Sequence, residues 1–122
     1  MDLALDSTGQ LDEALGLSEH LRDALWRVDS SGAKPVDATG GVIVSGMGGS
    51  AAGGRLAVAA LGPRLKRPMA VTDTYTLPGW AGPDTLVLCS SYSGTTEETL
   101  SAYDDARERG AHLLVTSTGG EL

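Results

Sequence analysis

Phenylalanine is absent from this 122-residue chain, and aromatic residues make up only 4% of it. The apolar content, 41% of residues, is carried by Ala, Val and Leu among 17 glycines, which excludes a core of large interlocking rings and favours thin, closely packed layers. A single cysteine, Cys89, excludes an internal disulfide framework and fits a reducing compartment. Cations are scarce: 9 Lys and Arg against 16 Asp and Glu leave a net charge of −7. That balance excludes a surface that tracks a nucleic-acid backbone or lies on an anionic membrane, so any phosphate has to be held locally. No apolar run approaches the roughly 20 residues of a membrane span, and the opening "MDLALDSTGQ" is acidic where a signal peptide is basic. The chain reads as cytoplasmic. Its length suits one core burying about two thirds of the unfolded surface.

What is present alternates in type along the chain. Leu11, Ala14, Leu15, Leu21, Leu25 and Val28 recur mostly at three and four residues, predicting an amphipathic helix over 11 to 28 with Asp6, Ser7 and Thr8 as candidate caps. "DSSGAKP" is a loop, and the segment 1–40 is expected to be a helix and loop ahead of the main domain, 41–122. Strands are expected at 42–45, 69–72, 86–89 and 113–115, and helices at 50–61 and 96–109, the last with Gly110 as its cap. Short apolar strands separated by helices imply parallel strands buried on both faces and joined by right-handed crossovers. The expected fold is therefore α/β, a doubly wound parallel sheet in three layers, ending after its fourth strand with an edge left uncovered.

Two loops at the carboxyl ends of these strands carry the chemistry. "GMGGSAAGG", Gly46 to Gly54, links a strand to a helix through bare backbone whose N–H groups, helped by the helix dipole, suit an anion. Gly46, Gly48 and Ala51 also fit a G-x-G-x-x-G/A spacing, and Asp73 lies about 20 residues further on, so a dinucleotide cofactor is the rival ligand. "SSYSGTTEETL", Ser90 to Leu100, concentrates hydroxyls: Ser91, Ser93, Thr95 and Thr96 with the Gly94 N–H can surround a phosphate without Lys or Arg. Thr95 and Glu98 have capping-box spacing, which explains those two residues but not Ser91, Ser93 and Gly94. Glu97 and Glu98 suit the first turn of a helix and would repel a phosphate, so they read as structural.

Taken together, "GMGGSAAGG" and "SYSGTTEETL", with "DTYTLPGW" between them and "TSTGGEL" after, resemble the sugar isomerase (SIS) domain, and closely the N-terminal half of the bifunctional phosphoglucose/phosphomannose isomerases. The resemblance runs from about Val42 to Leu122, with Ala51 where that family commonly has Gly and Thr95 where it commonly has Asn. It implies that Ser91, Ser93 and Thr96 hold a sugar phosphate and that Gly48, Gly49 and Ser50 line the sugar. It implies interconversion of glucose 6-phosphate or mannose 6-phosphate with fructose 6-phosphate through an enediol, with no cofactor or metal, in a homodimer. The glutamate base and the histidine of that chemistry are expected beyond residue 122, so the chain reads as a fragment with little activity of its own.

Other residues carry less. His20 and His112 have no ligand partners at metal-binding spacing, and Cys89 ends an apolar strand with no neighbouring Lys or His to activate it. Arg55 reads as solvent-exposed, while Tyr75 and Trp80 fit either a partner surface or a loop edge. A non-catalytic sugar-phosphate sensor is a further alternative. Its DNA-reading form is disfavoured by Asp12, Glu13, Glu19 and Asp23 in the first helix.

Overall fold

Four short stretches punctuated by glycine and proline become strands; the two central ones are buried or half-buried on both faces, as expected, whereas the last, 112–117, is exposed along most of its length because it forms the edge of the sheet. A computed structural model describes residues 6–122; residues 1–5 of the expected leading segment lie outside the described residues. The chain divides into two compact units, Met1–Pro35 and Val36–Leu122.

In the first unit the single helix expected over 11 to 28 is two helices, α1 (Gln10–Leu15) and α2 (Leu17–Ser30), which meet at Gly16. Gly16 ends α1 by donating to Asp12 O at 2.9 Å, and its own carbonyl accepts from the Glu19 and His20 N–H groups of α2. Of the candidate caps, Asp6 acts: its carboxylate accepts from the Gln10 and Leu11 N–H groups at 2.8 Å each. No residue of α2 is buried.

The second unit runs β1 (Gly41–Ser45), α3 (Gly48–Leu61), β2 (Met69–Thr72), β3 (Thr85–Ser91), α4 (Glu97–Glu108) and β4 (His112–Ser117). All strand pairs are parallel, in the order β2-β1-β3-β4. The expected α/β parallel sheet is present. Because β1 lies between β2 and β3, the chain leaves β1 in one direction and β3 in the other, and a crevice opens between their carboxyl ends. The usual dinucleotide-binding order places the third strand outside the second; here β3 sits beside β1 instead, in the flavodoxin-like order.

Helices cover the two faces. Ala102 and Ala106 of α4 cluster with Ile43, Val87 and Cys89, while Gly54 of α3 lies against Val44 and Val71. Ile43 and Val44 are consecutive in one strand and so point to opposite faces, which puts α3 and α4 on opposite sides of the sheet. Close approach explains the small residues: a β-carbon at Gly54 would stand 2.9 Å from Val44 Cγ1. Leu77 and Ala81, in the Pro/Gly loop between β2 and β3, are buried in the α4-side core. The helix α4 ends in a Schellman motif, with Ala111 N–H on Ala106 O at 3.0 Å and Gly110 N–H on Arg107 O at 3.1 Å. Gly110 (φ 71°) is thus the residue after the cap, Arg109, rather than the cap itself.

One polar cluster fixes the loop to α4. The Asp105 carboxylate receives Arg109 through both oxygens (2.7 and 2.9 Å) and the Leu77 N–H at 2.8 Å, while Arg109 also donates to Pro78 O at 3.0 Å. The Arg109 hydrogen bonds, joined by that from Leu77, hold the Asp105 carboxyl below its ordinary value against the opposing effect of desolvation. A lowered folded-state value contributes stability above the unfolded value of about 3.9, lost as pH falls through the folded one. Asp105→Asn is therefore expected to cost about 1–2 kcal/mol at pH 7, and its deficit against the wild type should shrink on acidification. Urea unfolding at pH 7 and at successively lower pH checks this; a deficit that stays constant with pH would overturn it.

Candidate functional site

The two loops singled out in the sequence follow β1 and β3, the strands that flank the switch in chain direction. At the first, Gly46 donates to Thr72 O at 3.1 Å, and a β-carbon there would stand 2.7 Å from Ser90 O. Bare backbone is required where β1 and β3 converge. Met47 precedes α3 in extended conformation with no side-chain cap, and Gly48 enters the helix at φ 52°. Ser50 and Ala51 N–H turn back onto Met47 O, at 3.0 and 3.4 Å, while the Gly48 and Gly49 N–H groups have no acceptor among the described residues.

The second loop is held by its own hydroxyls. Ser91, 2% exposed, accepts from Gly94 N–H at 3.0 Å and shares a 2.8 Å hydrogen bond with Thr96 Oγ1. Ser93 Oγ accepts from Thr95 N–H at 3.2 Å and from Thr95 Oγ1 at 3.1 Å. The capping box expected of Thr95 and Glu98 does not form. Thr96 occupies the cap position of α4, its hydroxyl turned to Ser91 rather than to the helix, so this N-terminus too lacks a side-chain cap. Two helices thus begin beside each other with their first N–H groups free of side-chain partners, an arrangement that suits an anion.

Between them lie two adjoining hollows. One, of about 520 Å³, is lined by Met47, Gly49, Ser50, Tyr92, Ser93 and Thr96. The other, of about 200 Å³, is lined by Ser50, Ser90, Ser91, Tyr92, Thr116, Ser117 and Thr118. Of the six expected site residues, Gly49, Ser50, Ser93 and Thr96 line the larger hollow, and Ser50 and Ser91 the smaller. Gly48 lines neither and faces open space. Thr116, Ser117 and Thr118 were not expected at the site, although "TSTGG" repeats the pattern of the other two stretches, small and hydroxylic residues at the carboxyl end of a strand. This third loop closes onto the second: Thr118 Oγ1 donates to Tyr92 O at 2.5 Å, and Glu121 N–H to Gly94 O at 3.0 Å.

Neighbouring groups sort themselves. Glu97 and Glu98 line neither hollow; the Glu98 carboxylate beside Tyr75 is the main cause holding that phenol above its ordinary value. Arg55 is exposed yet engaged, donating to Asp73 at 2.7 Å. Asp73, the acid expected of a dinucleotide site, therefore already has a cation. Burial pushes the Cys89 thiol up to about 11, which makes it an inert part of the core. Among the described residues no group of three or more His, Cys, Asp or Glu is placed to hold a metal ion, and no helix is long and apolar enough to cross a membrane.

No protein-family model matches the chain. It is 48% identical over 81 residues to a bifunctional phosphoglucose/phosphomannose isomerase of Caldicellulosiruptor bescii, covering 66% of this chain and 24% of that protein. The enzyme of the same name from Aquifex aeolicus is 43% identical over 83 residues, 67% of this chain and 26% of the relative. That of Thermoplasma acidophilum is 33% identical over 105 residues, 86% and 33%. A crystal structure of a proposed phosphosugar isomerase from Clostridium difficile superposes with a TM-score of 0.63 at 20% identity, over 80% of this chain and 29% of that one, a likeness of fold. These relatives of the chain are thus bifunctional phosphoglucose/phosphomannose isomerases, of which it spans about a quarter to a third.

Proposed function

We propose that the paired hollows bind a hexose 6-phosphate, and that this chain is the sugar-phosphate-binding SIS module of a cytoplasmic, homodimeric isomerase that interconverts glucose 6-phosphate or mannose 6-phosphate with fructose 6-phosphate. The observation that carries the reading is the pair of uncapped helix N-termini opening on a hydroxyl-lined crevice at the switch point. In this reading the α3 and α4 N–H groups with Ser93 and Thr96 take the phosphate, while Ser91 holds their loop in place. Gly49 and Ser50, which line the larger hollow, also face the sugar, whereas Gly48 lines neither hollow. Each charge-assisted hydrogen bond contributes about 1.5–3 kcal/mol, so several give micromolar affinity without a cationic side chain. The lining supplies hydroxyls, so the role given to these residues is binding; proton transfer between C1 and C2 through an enediol needs a base of another kind within hydrogen-bond reach.

Amide NMR titration of the chain with fructose 6-phosphate, and with NAD in parallel, tests this. Shifts at Gly48 to Ala51 and at Ser91 to Thr96 are expected with the sugar phosphate and not with NAD. A response to NAD, or none to either, would overturn the reading.

A further inference from the structure

We infer that the segment after β4, Thr118 to Leu122, holds the second loop in its working shape from outside, with Thr118 as a positioning residue that sets the Ser93 hydroxyl for its ligand. This role rests on the sugar-phosphate reading above, which gives Thr118 no part. The carbonyls on either side of Ser93 are both gripped by that segment. Tyr92 O accepts from the Thr118 N–H at 3.2 Å and from its Oγ1 at 2.5 Å, and Gly94 O accepts from the Glu121 and Leu122 N–H groups at 3.0 and 3.2 Å. The two backbones touch: Gly120, at φ 86°, lies where a β-carbon would overlap Ser93 O and stand 2.6 Å from Gly94 C.

A trans peptide points its N–H opposite to its carbonyl, and among the described residues no peptide bond is cis. Holding Tyr92 O and Gly94 O therefore turns the Ser93 and Thr95 N–H groups away from the segment. Thr95 N–H then reaches Ser93 Oγ at 3.2 Å, and Thr95 Oγ1 donates to the same oxygen at 3.1 Å. With both bonds accepted, the Ser93 hydroxyl keeps its own proton to donate, and Ser93 lines the larger hollow, where an anion would take it. On the β3 side the loop is tied through Ser91 to the Gly94 N–H; on the other side the one side-chain tie is Thr118, whose proton is spent on Tyr92 O. Thr118 is exposed and lies outside the apolar core, so its bond bears on the loop rather than on the domain.

The test combines calorimetric titration with fructose 6-phosphate, amide hydrogen exchange and urea unfolding on the wild-type chain, Thr118→Val and Thr118→Ser. Valine keeps the shape and removes the donor, while serine keeps the donor. Thr118→Val is expected to bind about 5- to 10-fold more weakly, with faster exchange at the Thr95 amide and a urea midpoint close to that of the wild type. Thr118→Ser should restore both affinity and protection. Wild-type affinity in Thr118→Val, or a serine variant as weak as the valine one, would overturn the positioning role. Lost affinity with unchanged Thr95 exchange would overturn it too, making Thr118 a ligand contact. Should valine disturb the fold, the wild type alone decides: saturating fructose 6-phosphate should slow exchange of the Glu121 amide, which lines neither hollow, and an unchanged rate would refute the coupling. A wild type that does not bind fructose 6-phosphate at all would bring down the underlying reading, an outcome distinct from these.

Discussion

Gly94→Ala is expected to unseat the second loop and to destabilise the domain by about 3 kcal/mol. Two costs add. Gly94 sits at φ 69°, a left-handed conformation that costs an L-residue roughly 1–2 kcal/mol. A β-carbon there would also overlap the Gly119 carbonyl oxygen and stand 2.6 Å from Ser117 Oγ, so backbone of the third loop has to move; overpacking of this kind costs about 1–3 kcal/mol. The displaced segment is the one that closes the site, since Gly94 O receives the Glu121 and Leu122 N–H groups at 3.0 and 3.2 Å. Binding of fructose 6-phosphate should fall with stability. Gly53→Ala is the control: Gly53 lies inside α3 with open space around its missing β-carbon, and alanine there should stabilise by about 0.5–1 kcal/mol. Urea unfolding of both variants decides the matter, and a Gly94→Ala midpoint equal to the wild type would refute the account.

That contrast between glycines shows what the sequence could and could not reveal. The strands were legible because buried parallel strands are continuous apolar runs: β2 falls on the expected residues 69–72, and β1 differs by Gly41 alone. The end of β3 was not, since Ser90 and Ser91 look like loop by composition yet stay in register with Thr116 and Ser117. Strand propensity is overridden there by pairing with β4, a contact 26 residues away. The break between α1 and α2 was hidden because the apolar spacing continues through Gly16. Glycine patterns located the first two loops correctly, but spacing alone could not say that Gly94 is pressed against Gly119 while Gly53 faces open space. The third loop escaped for a related reason: Thr116 to Thr118 gain meaning only once β4 is placed beside β3.

Ser91→Ala is expected to lose both stability and ligand, whereas Thr96→Ala should lose mainly ligand. Ser91 is buried, and its hydroxyl is the acceptor for Gly94 N–H; removing it strands a buried donor, at about 1–3 kcal/mol, and frees Thr96 from its 2.8 Å bond. Thr96 is half-buried and lines the larger hollow, so its truncation removes a group that meets the phosphate and costs stability by less than about 1 kcal/mol. Each variant should bind fructose 6-phosphate about tenfold more weakly, Thr96→Ala by the loss of roughly one charge-assisted hydrogen bond and Ser91→Ala because the loop that presents Ser93 and Thr96 is no longer held. The two routes separate in the double variant. Both single changes break the same Ser91–Thr96 bond, so its loss is counted once in the pair, and the double variant should lose less stability than the sum of the singles. Calorimetric titration together with urea unfolding of all three gives the answer. Strict additivity in stability would mean that Ser91 and Thr96 act independently. Unchanged affinity in both single variants would remove the phosphate from this loop altogether, because no other arrangement of these hydroxyls leaves them beside the ligand yet indifferent to it.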